Sequence, residues 1–390
     1  MIGPWKRRFK QDNIPLPFLQ LIDHLDILGI KIYENWRTTQ RENGAKVLKK
    51  VKLVADRWKG GRFNNFLLRP HMVNTYLFSN VWYSAGVVDL QLGHLDEIQK
   101  RGNQYVHSDC FLKPQNIANY LKRDQMGLGL VHVRTKAQAL LIKNILGEAN
   151  SEFNCYMSAV VDFFCRDISL DSEPIRPNYL TDALIRKIKL VFEKCQTLET
   201  KTIYNVLIAE EFKINDSFQL KVQLDNSQLN IDNAVSMINS KILSLKVRTN
   251  IWKQFHCVVY DDVIKGKIVN SSPVCKLCTE ADVDKNHIYF FCEKYKGCGH
   301  TVLKVLGNYG QFNQNDVLNM KIGTDNMDLM WLIANYLYFV TVSRQKCSPE
   351  QLKSYLITEF EVIRRSKYCD TNLETSLKML VDQLDTTSQQ

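Results

Sequence analysis

Apolar residues recur at helical spacing along most of the chain. Val47, Leu48, Val51, Val54, Ala55 and Trp58 form one apolar stripe, which predicts an amphipathic helix over 38–59. Gly60-Gly61 is expected to stop it, because glycine tolerates the backbone angles of a helix C-terminus. Residues 62–88, with Phe63, Phe66, Leu67, Leu68, Met72, Val73, Tyr76, Leu77, Val81 and Trp82, predict a largely buried helix that Pro70 kinks or divides. A helix is also predicted over 92–107. Another should run from Ala137 to Leu146, behind the glycine-rich turn Met126-Gly127-Leu128-Gly129-Leu130. Helical stretches follow around 152–166 and 180–197, then a polar loop at 214–232. Two tail helices fall at about 327–343 and 349–366, with Ser348-Pro349-Glu350 as the cap between them. Leu28-Gly29-Ile30-Lys31-Ile32-Tyr33 alternates and reads as one short strand. Pro4, Pro15 and Pro17 make residues 1–20 irregular. The expected fold class is mainly α.

Composition adds limits to this pattern. At 390 residues, 45% hydrophobic and 24% charged, the chain has material for two or three domains with cores of their own. It contains no run of eighteen apolar residues, and its first residues lack an apolar signal core, so an intracellular protein is expected. The stretch Lys6-Arg7-Arg8 with Lys10 is too short to decide between nucleus and cytoplasm. Eleven scattered cysteines suit reduced thiols better than a disulfide framework.

The net charge of +10 is placed unevenly: residues 1–62 hold fourteen Lys/Arg against six Asp/Glu. Lys46, Lys49, Lys50, Lys52, Arg57 and Lys59 cover much of the predicted 38–59 helix opposite its apolar stripe. Such a stripe fits a polyanion, because lysines and arginines that neutralise phosphates release counterions. A solvated basic face without a partner is the competing reading.

The sharpest chemical signal is Cys275-Lys276-Leu277-Cys278, then eight residues to His287, then four to Cys292. A Cys-x-x-Cys turn can aim two thiolates at one centre, and a histidine and a cysteine five apart can close a tetrahedron. Three sulfurs and an imidazole suit zinc, and four protein ligands leave no open position, so the site would be structural. Two buried thiols and a core histidine lying close by chance are the alternative. Cys298 and His300 are lower-ranked substitute ligands.

Other catalytic patterns are lacking: no Gly-x-Ser-x-Gly elbow or phosphate-binding loop occurs. His71, His94, His107 and His132 read as structural. Trp36, Trp58 and Trp82 could stack on bases, although helical spacing favours core packing for Trp58 and Trp82.

Two stretches, in the right order, resemble LINE-type (non-LTR) retrotransposon reverse transcriptases. Leu28-Gly29-Ile30 with Asn35-Trp36, the basic helix ending Arg57-Trp58-Lys59-Gly60, and Val73-Asn74-Thr75 with Val81-Trp82-Tyr83 look like their thumb region. So does Gly127-Leu128-Gly129-Leu130 followed by Val133-Arg134-Thr135-Lys136-Ala137. The second stretch is similar to that family's zinc-binding segment: Lys246-Val247-Arg248, Trp252-Lys253 and His256, then Pro273-Val274-Cys275-Lys276-Leu277-Cys278 and His287-Ile288-Tyr289-Phe290-Phe291-Cys292. The resemblance implies binding of RNA and of RNA–DNA or DNA duplex, with zinc as a structural cofactor. It also implies an N-terminal remnant at 1–27, a thumb-like region at 28–90, a helical connector at 91–245, a zinc-binding segment at 246–310 and a C-terminal helical region at 311–390.

The departures concern catalysis. The family's palm carries metal-binding aspartates, one in an aromatic-x-Asp-Asp turn, ahead of the Leu-Gly-Ile strand. The 27 residues before Leu28 contain no such turn, and Tyr260-Asp261-Asp262 lies after the thumb, where a polar loop is expected. The family's endonuclease is not found either. The chain is therefore expected to bind nucleic acid without polymerising alone, unless another polypeptide supplies a palm. A decayed transposon-derived reading frame, or a structural protein with no nucleic-acid role, is the alternative.

Overall fold

A computed structural model describes residues 23–58, 66–108, 116–151, 154–213, 231–256, 272–321, 326–343 and 347–388. Within them the protein is mainly helical, as the pattern predicts. None of these helices is long and apolar enough to cross a membrane. The chain divides into two compact units. One comprises 1–64, 68–108 and 130–219, and the other 65–67, 109–129 and 220–390.

The first unit opens with a hairpin. Strand β1 (His24–Ile27) pairs antiparallel with β2 (Ile30–Tyr33), with Ile27 opposite Ile30. Leu28 and Gly29 form the two-residue turn at φ +49° and +81°, the left-handed values that a tight hairpin turn of this twist requires. The predicted strand is thus one arm of a hairpin, and Leu28-Gly29 turns instead of extending. Helix α1 (Trp36–Trp58) holds the hairpin by side-chain bonds. The Lys31 amide donates to Asn43 Oδ1 (3.0 Å), Asn43 Nδ2 donates back to the Lys31 carbonyl (2.7 Å), and the Tyr33 amide donates to Thr39 Oγ1 (2.8 Å).

The helix predicted over 62–88 is divided. Helix α2 (Arg69–Met72) places Pro70 in its first turn, where the missing N–H costs no helical bond. A π-turn (Val73–Leu77) follows, then α3 (Ser79–Val87). Helix α4 (Leu92–Val106) packs on α1, and α5 (Val133–Ala149) runs through the middle of the unit against α3, α6 (Cys155–Cys165) and α8 (Thr200–Phe212). With α7 (Asp182–Lys194), these helices enclose a core that includes Ile142, Leu146, Val160, Val161, Ile188, Val191 and Ile203.

The second unit is built on α13 (Met327–Ser343), whose residues from Leu329 to Leu337 are all buried. Being apolar all round, that helix is covered by other helices. These are α10 (Leu245–Phe255), α11 (Lys296–Gly307), α14 (Pro349–Arg364) and α15 (Thr371–Ser388). The short helices α9 (Ile231–Asn239) and α12 (Gln314–Leu318) complete the unit. Ser348 caps α14 as expected, in a reciprocal box with Gln351. The glycine-rich turn belongs to this unit. A Cβ on Gly127 would fall 1.9 Å from the Leu121 carbonyl oxygen, so only glycine fits. Trp252 Nε1 donates to the Met126 carbonyl (3.0 Å). His256 Nε2 lies 2.8 Å from the same oxygen, and burial holds the imidazole down to about 4, so the neutral ring donates there at neutral pH.

Candidate metal centre

Residues 272–295 hold little regular structure. Val274 and Ala281 form an isolated antiparallel bridge, and the Cys275 amide donates to the Glu280 carbonyl (2.9 Å). The Thr279 amide closes back on the Cys275 carbonyl (2.8 Å), with Thr279 at φ +63°. This tight knuckle turns the Cys275 and Cys278 side chains to one side. A π-turn (His287–Phe291) supplies the other half. Asp284 Oδ1 accepts the His287 amide (2.7 Å) at its start, and the Cys292 amide donates to the His287 carbonyl (2.6 Å) at its end. One residue wider than an α-turn, it lets His287 and Cys292, five apart, face the knuckle together.

The ligand atoms of Cys275, Cys278, His287 and Cys292 all lie within 4.8 Å of one another. Cys275 Sγ is 3.7 Å from Cys292 Sγ, and Cys278 Sγ is 3.2 Å from His287 Nε2. Tetrahedral zinc with bonds of about 2.3 Å to sulfur and about 2.0 Å to nitrogen needs S···S edges of about 3.8 Å and S···N edges of about 3.5 Å. The two observed edges fall close to these values, so the residues fit the ion. Cys275, His287 and Cys292 are buried, and Cys278 is half-buried. Burial pushes the Cys292 thiol up to about 12, and the adjacent Cys275 thiol pushes the same way. The Cys292 thiol is thus unfavourable as a bare anion. A divalent cation reverses that preference by taking thiolates and releasing protons.

The sequence pattern places all four ligands together and misses the groups that orient them. Glu280 Oε2 lies 3.2 Å from His287 Nδ1, which leaves Nε2 to face the sulfurs. A carboxylate behind a ligand imidazole fixes its tautomer and raises its basicity. An acidic residue two positions after Cys278 is the only local signal for it. Behind the π-turn, Tyr336 donates to the Tyr289 carbonyl, and Gln254 Nε2 donates to Tyr289 Oη (3.0 Å). A Cβ on Gly299 would come within 2.9 Å of the Phe290 ring and 3.0 Å of the Tyr289 oxygen, so α11 packs directly on the turn. The lower-ranked candidates stand apart: Cys298 Sγ points at the Cys347 carbonyl (3.6 Å), and His300 is exposed.

The basic candidates lie on α1. Lys46, Lys49, Lys50 and Arg57 are exposed and Lys52 is half-buried, while Lys59 and Tyr260-Asp261-Asp262 lie outside the described residues. Lys46 is tied down, its Nζ donating to the Gly29 carbonyl (2.7 Å). Trp36 packs by Tyr179, Trp58 by Tyr76 and Tyr105, and Trp82 by Phe78. No protein-family model matches the sequence, and a search of curated proteins finds no match.

Proposed function

We propose that this chain is a nucleic-acid-binding protein related to the C-terminal part of a LINE-type reverse transcriptase, gripping phosphates through α1 and braced by a structural zinc ion. The observation that carries the reading is the row of exposed cations on α1. That helix holds seven Lys/Arg against two Asp/Glu, and Lys49, Lys50 and Arg57 project to solvent while Val47 and Val51 are buried beneath them. A row of this kind binds RNA or an RNA–DNA duplex with little regard for sequence, because it reads phosphate spacing. Zinc at the Cys3His cluster would stiffen the segment that α10 and α13 support, without taking part in chemistry. On this reading, primer–template supplied with nucleotides stays unextended.

Fluorescence anisotropy with a labelled RNA–DNA duplex, repeated across salt concentrations, tests the proposal. Micromolar or tighter binding should weaken steeply with salt. Replacing Lys49, Lys50 and Arg57 by Glu together should abolish most of it while shifting stability by no more than about 0.5 kcal/mol. Neutralising any one of these cations should reduce the salt slope by about one, since one phosphate then keeps its counterion. No binding, or binding indifferent to salt, would overturn the reading.

A further inference from the structure

Helix α10, with the residues that flank it, carries Ser244, Arg248, Trp252 and His256 at four-residue intervals along one face. Trp252 and His256 fix that face on the Met126 carbonyl, at the end of a tight helical turn (Arg123–Gln125) in the same unit. One turn back along α10, Arg248 comes within electrostatic reach of Arg123. Arg123 is an exposed residue anchored at one end, its Nη2 donating to the Leu67 carbonyl (2.5 Å).

This corner gathers positive charge without an anion. Among the described residues, no carboxylate pairs with Arg123 or Arg248, and Arg248 Nε is closed off from solvent with no hydrogen-bond partner. Ser244, the N-cap of α10, repeats the pattern: its Oγ is buried, unpartnered, and accepts no amide of the first turn. A serine there ordinarily takes up the second or third amide of the helix. The first amides of α10 are thus left without a capping side chain. Helical side chains lean towards the N-terminus, which sets the Arg248 guanidinium beside the positive end of the helix dipole. Burial, and then the charge of Arg123, push that guanidinium down from its ordinary value. Packing of its aliphatic stem would explain why Arg248 is half-buried. Packing leaves unexplained two arginines that repel each other, and a donor and a cap hydroxyl unpaired one helical turn apart. An oxyanion resolves all of these, because it accepts from guanidinium, hydroxyl and helix amides and cancels the charge.

We propose that Arg123, Arg248, Ser244 and the first amides of α10 form a phosphate-binding corner in the second unit. A phosphate is tetrahedral, so its oxygens reach donors that converge from several directions, and an arginine fork meets two of those oxygens at once. The corner is separate from α1, and the proposal stands whether or not α1 binds nucleic acid.

Phosphorus NMR of inorganic phosphate at about 1 mM, with the full chain in chloride buffer of fixed ionic strength, tests it. The phosphate line should broaden on adding the protein. Arg248→Met and Arg123→Gln should each weaken binding by at least about tenfold, as expected for losing one charged hydrogen bond. A purely structural Arg248 would behave differently, its loss lowering the melting temperature and leaving the phosphate line broad. Here Arg248→Met removes an orphaned donor and a repulsion, so the melting temperature in phosphate-free buffer should hold or rise. If that variant does not fold, Arg123→Gln, at an exposed position, reads the same affinity. An RNA oligonucleotide without terminal phosphates, added to the Lys49→Glu, Lys50→Glu, Arg57→Glu variant, separates two sources of the ligand. Displacement of bound phosphate assigns the corner to a strand backbone, and retention assigns it to free phosphate or a small phosphorylated molecule. No broadening with the unsubstituted chain, or equal broadening with the arginine variants, would overturn the proposal.

Discussion

The α5–α8 bundle and the 272–295 segment reach order by opposite routes. The bundle orders itself by burying side chains such as Ile142, Val160, Ile188 and Ile203, each fully shielded from water. Its helices can shift a little and still exclude water, because apolar burial has no direction. The candidate metal segment has an isolated bridge, a knuckle and a π-turn in place of long helices, and it buries Val283, Tyr289, Phe290 and Tyr295 as well as three of its four candidate ligands. Its backbone brings four candidate ligand atoms within 4.8 Å of one another. One region is specified by an average over many contacts; in the other, a bound metal would add a few directed bonds to that burial.

Removing the metal should separate the two regions most clearly. If the cluster holds zinc as proposed, the ion would contribute about 10–16 kcal/mol of apparent binding energy that doubles as folding energy. A strong chelator, or Cys275→Ser with Cys292→Ser, should therefore abolish amide protection across 274–295 while protection across α5–α8 persists. Hydrogen exchange read by mass spectrometry reports both regions at once, and equal loss in the two would refute their independence. The converse change is Ile188→Ala, which leaves a cavity in the bundle and should cost about 2–5 kcal/mol in denaturant unfolding. Zinc content measured by elemental analysis should not change in that variant.

Smaller effects test how the two modes meet. Gly299→Ala pushes a methyl group against Phe290 and Tyr289, on the turn that carries His287 and Cys292. The overpacking, about 1–3 kcal/mol, should outweigh the gain from removing a helical glycine and loosen zinc in a competition titration with a chromogenic chelator. Unchanged affinity would mean that α11 supports the fold without supporting the site. The mildest change is Glu280→Gln, which keeps the shape and removes the charge behind His287 Nδ1. Zinc affinity should drop by about tenfold to a hundredfold with the melting temperature of the bundle unmoved.

Much of this architecture is legible in the sequence. The α1 stripe, the Ser348 cap and the tail helices follow from local rules, because a helix satisfies its own backbone and needs only one apolar face. The four candidate metal ligands are legible for a related reason: ligand chemistry restricts both residue type and spacing. The hairpin turn is harder to read, since Leu28-Gly29 looks extended until its partner strand His24–Ile27 is known. The division at Pro70 and the π-turns are ambiguous, because a proline or a widened turn is tolerated only when its neighbours accommodate it.

The order of residues therefore settles local features: helical periods, caps, and a set of sulfur and nitrogen donors spaced so that they could share one metal ion. Which segments share a core is settled only in three dimensions. Residues 116–129 join the second unit, where the Met126 carbonyl, in a glycine-rich turn, accepts bonds from Trp252 and His256, more than a hundred residues away. The folded chain likewise brings Glu280 behind His287 and holds Lys46 on the Gly29 carbonyl. Each of these depends on a direction in space, and a one-dimensional pattern records spacing but not direction.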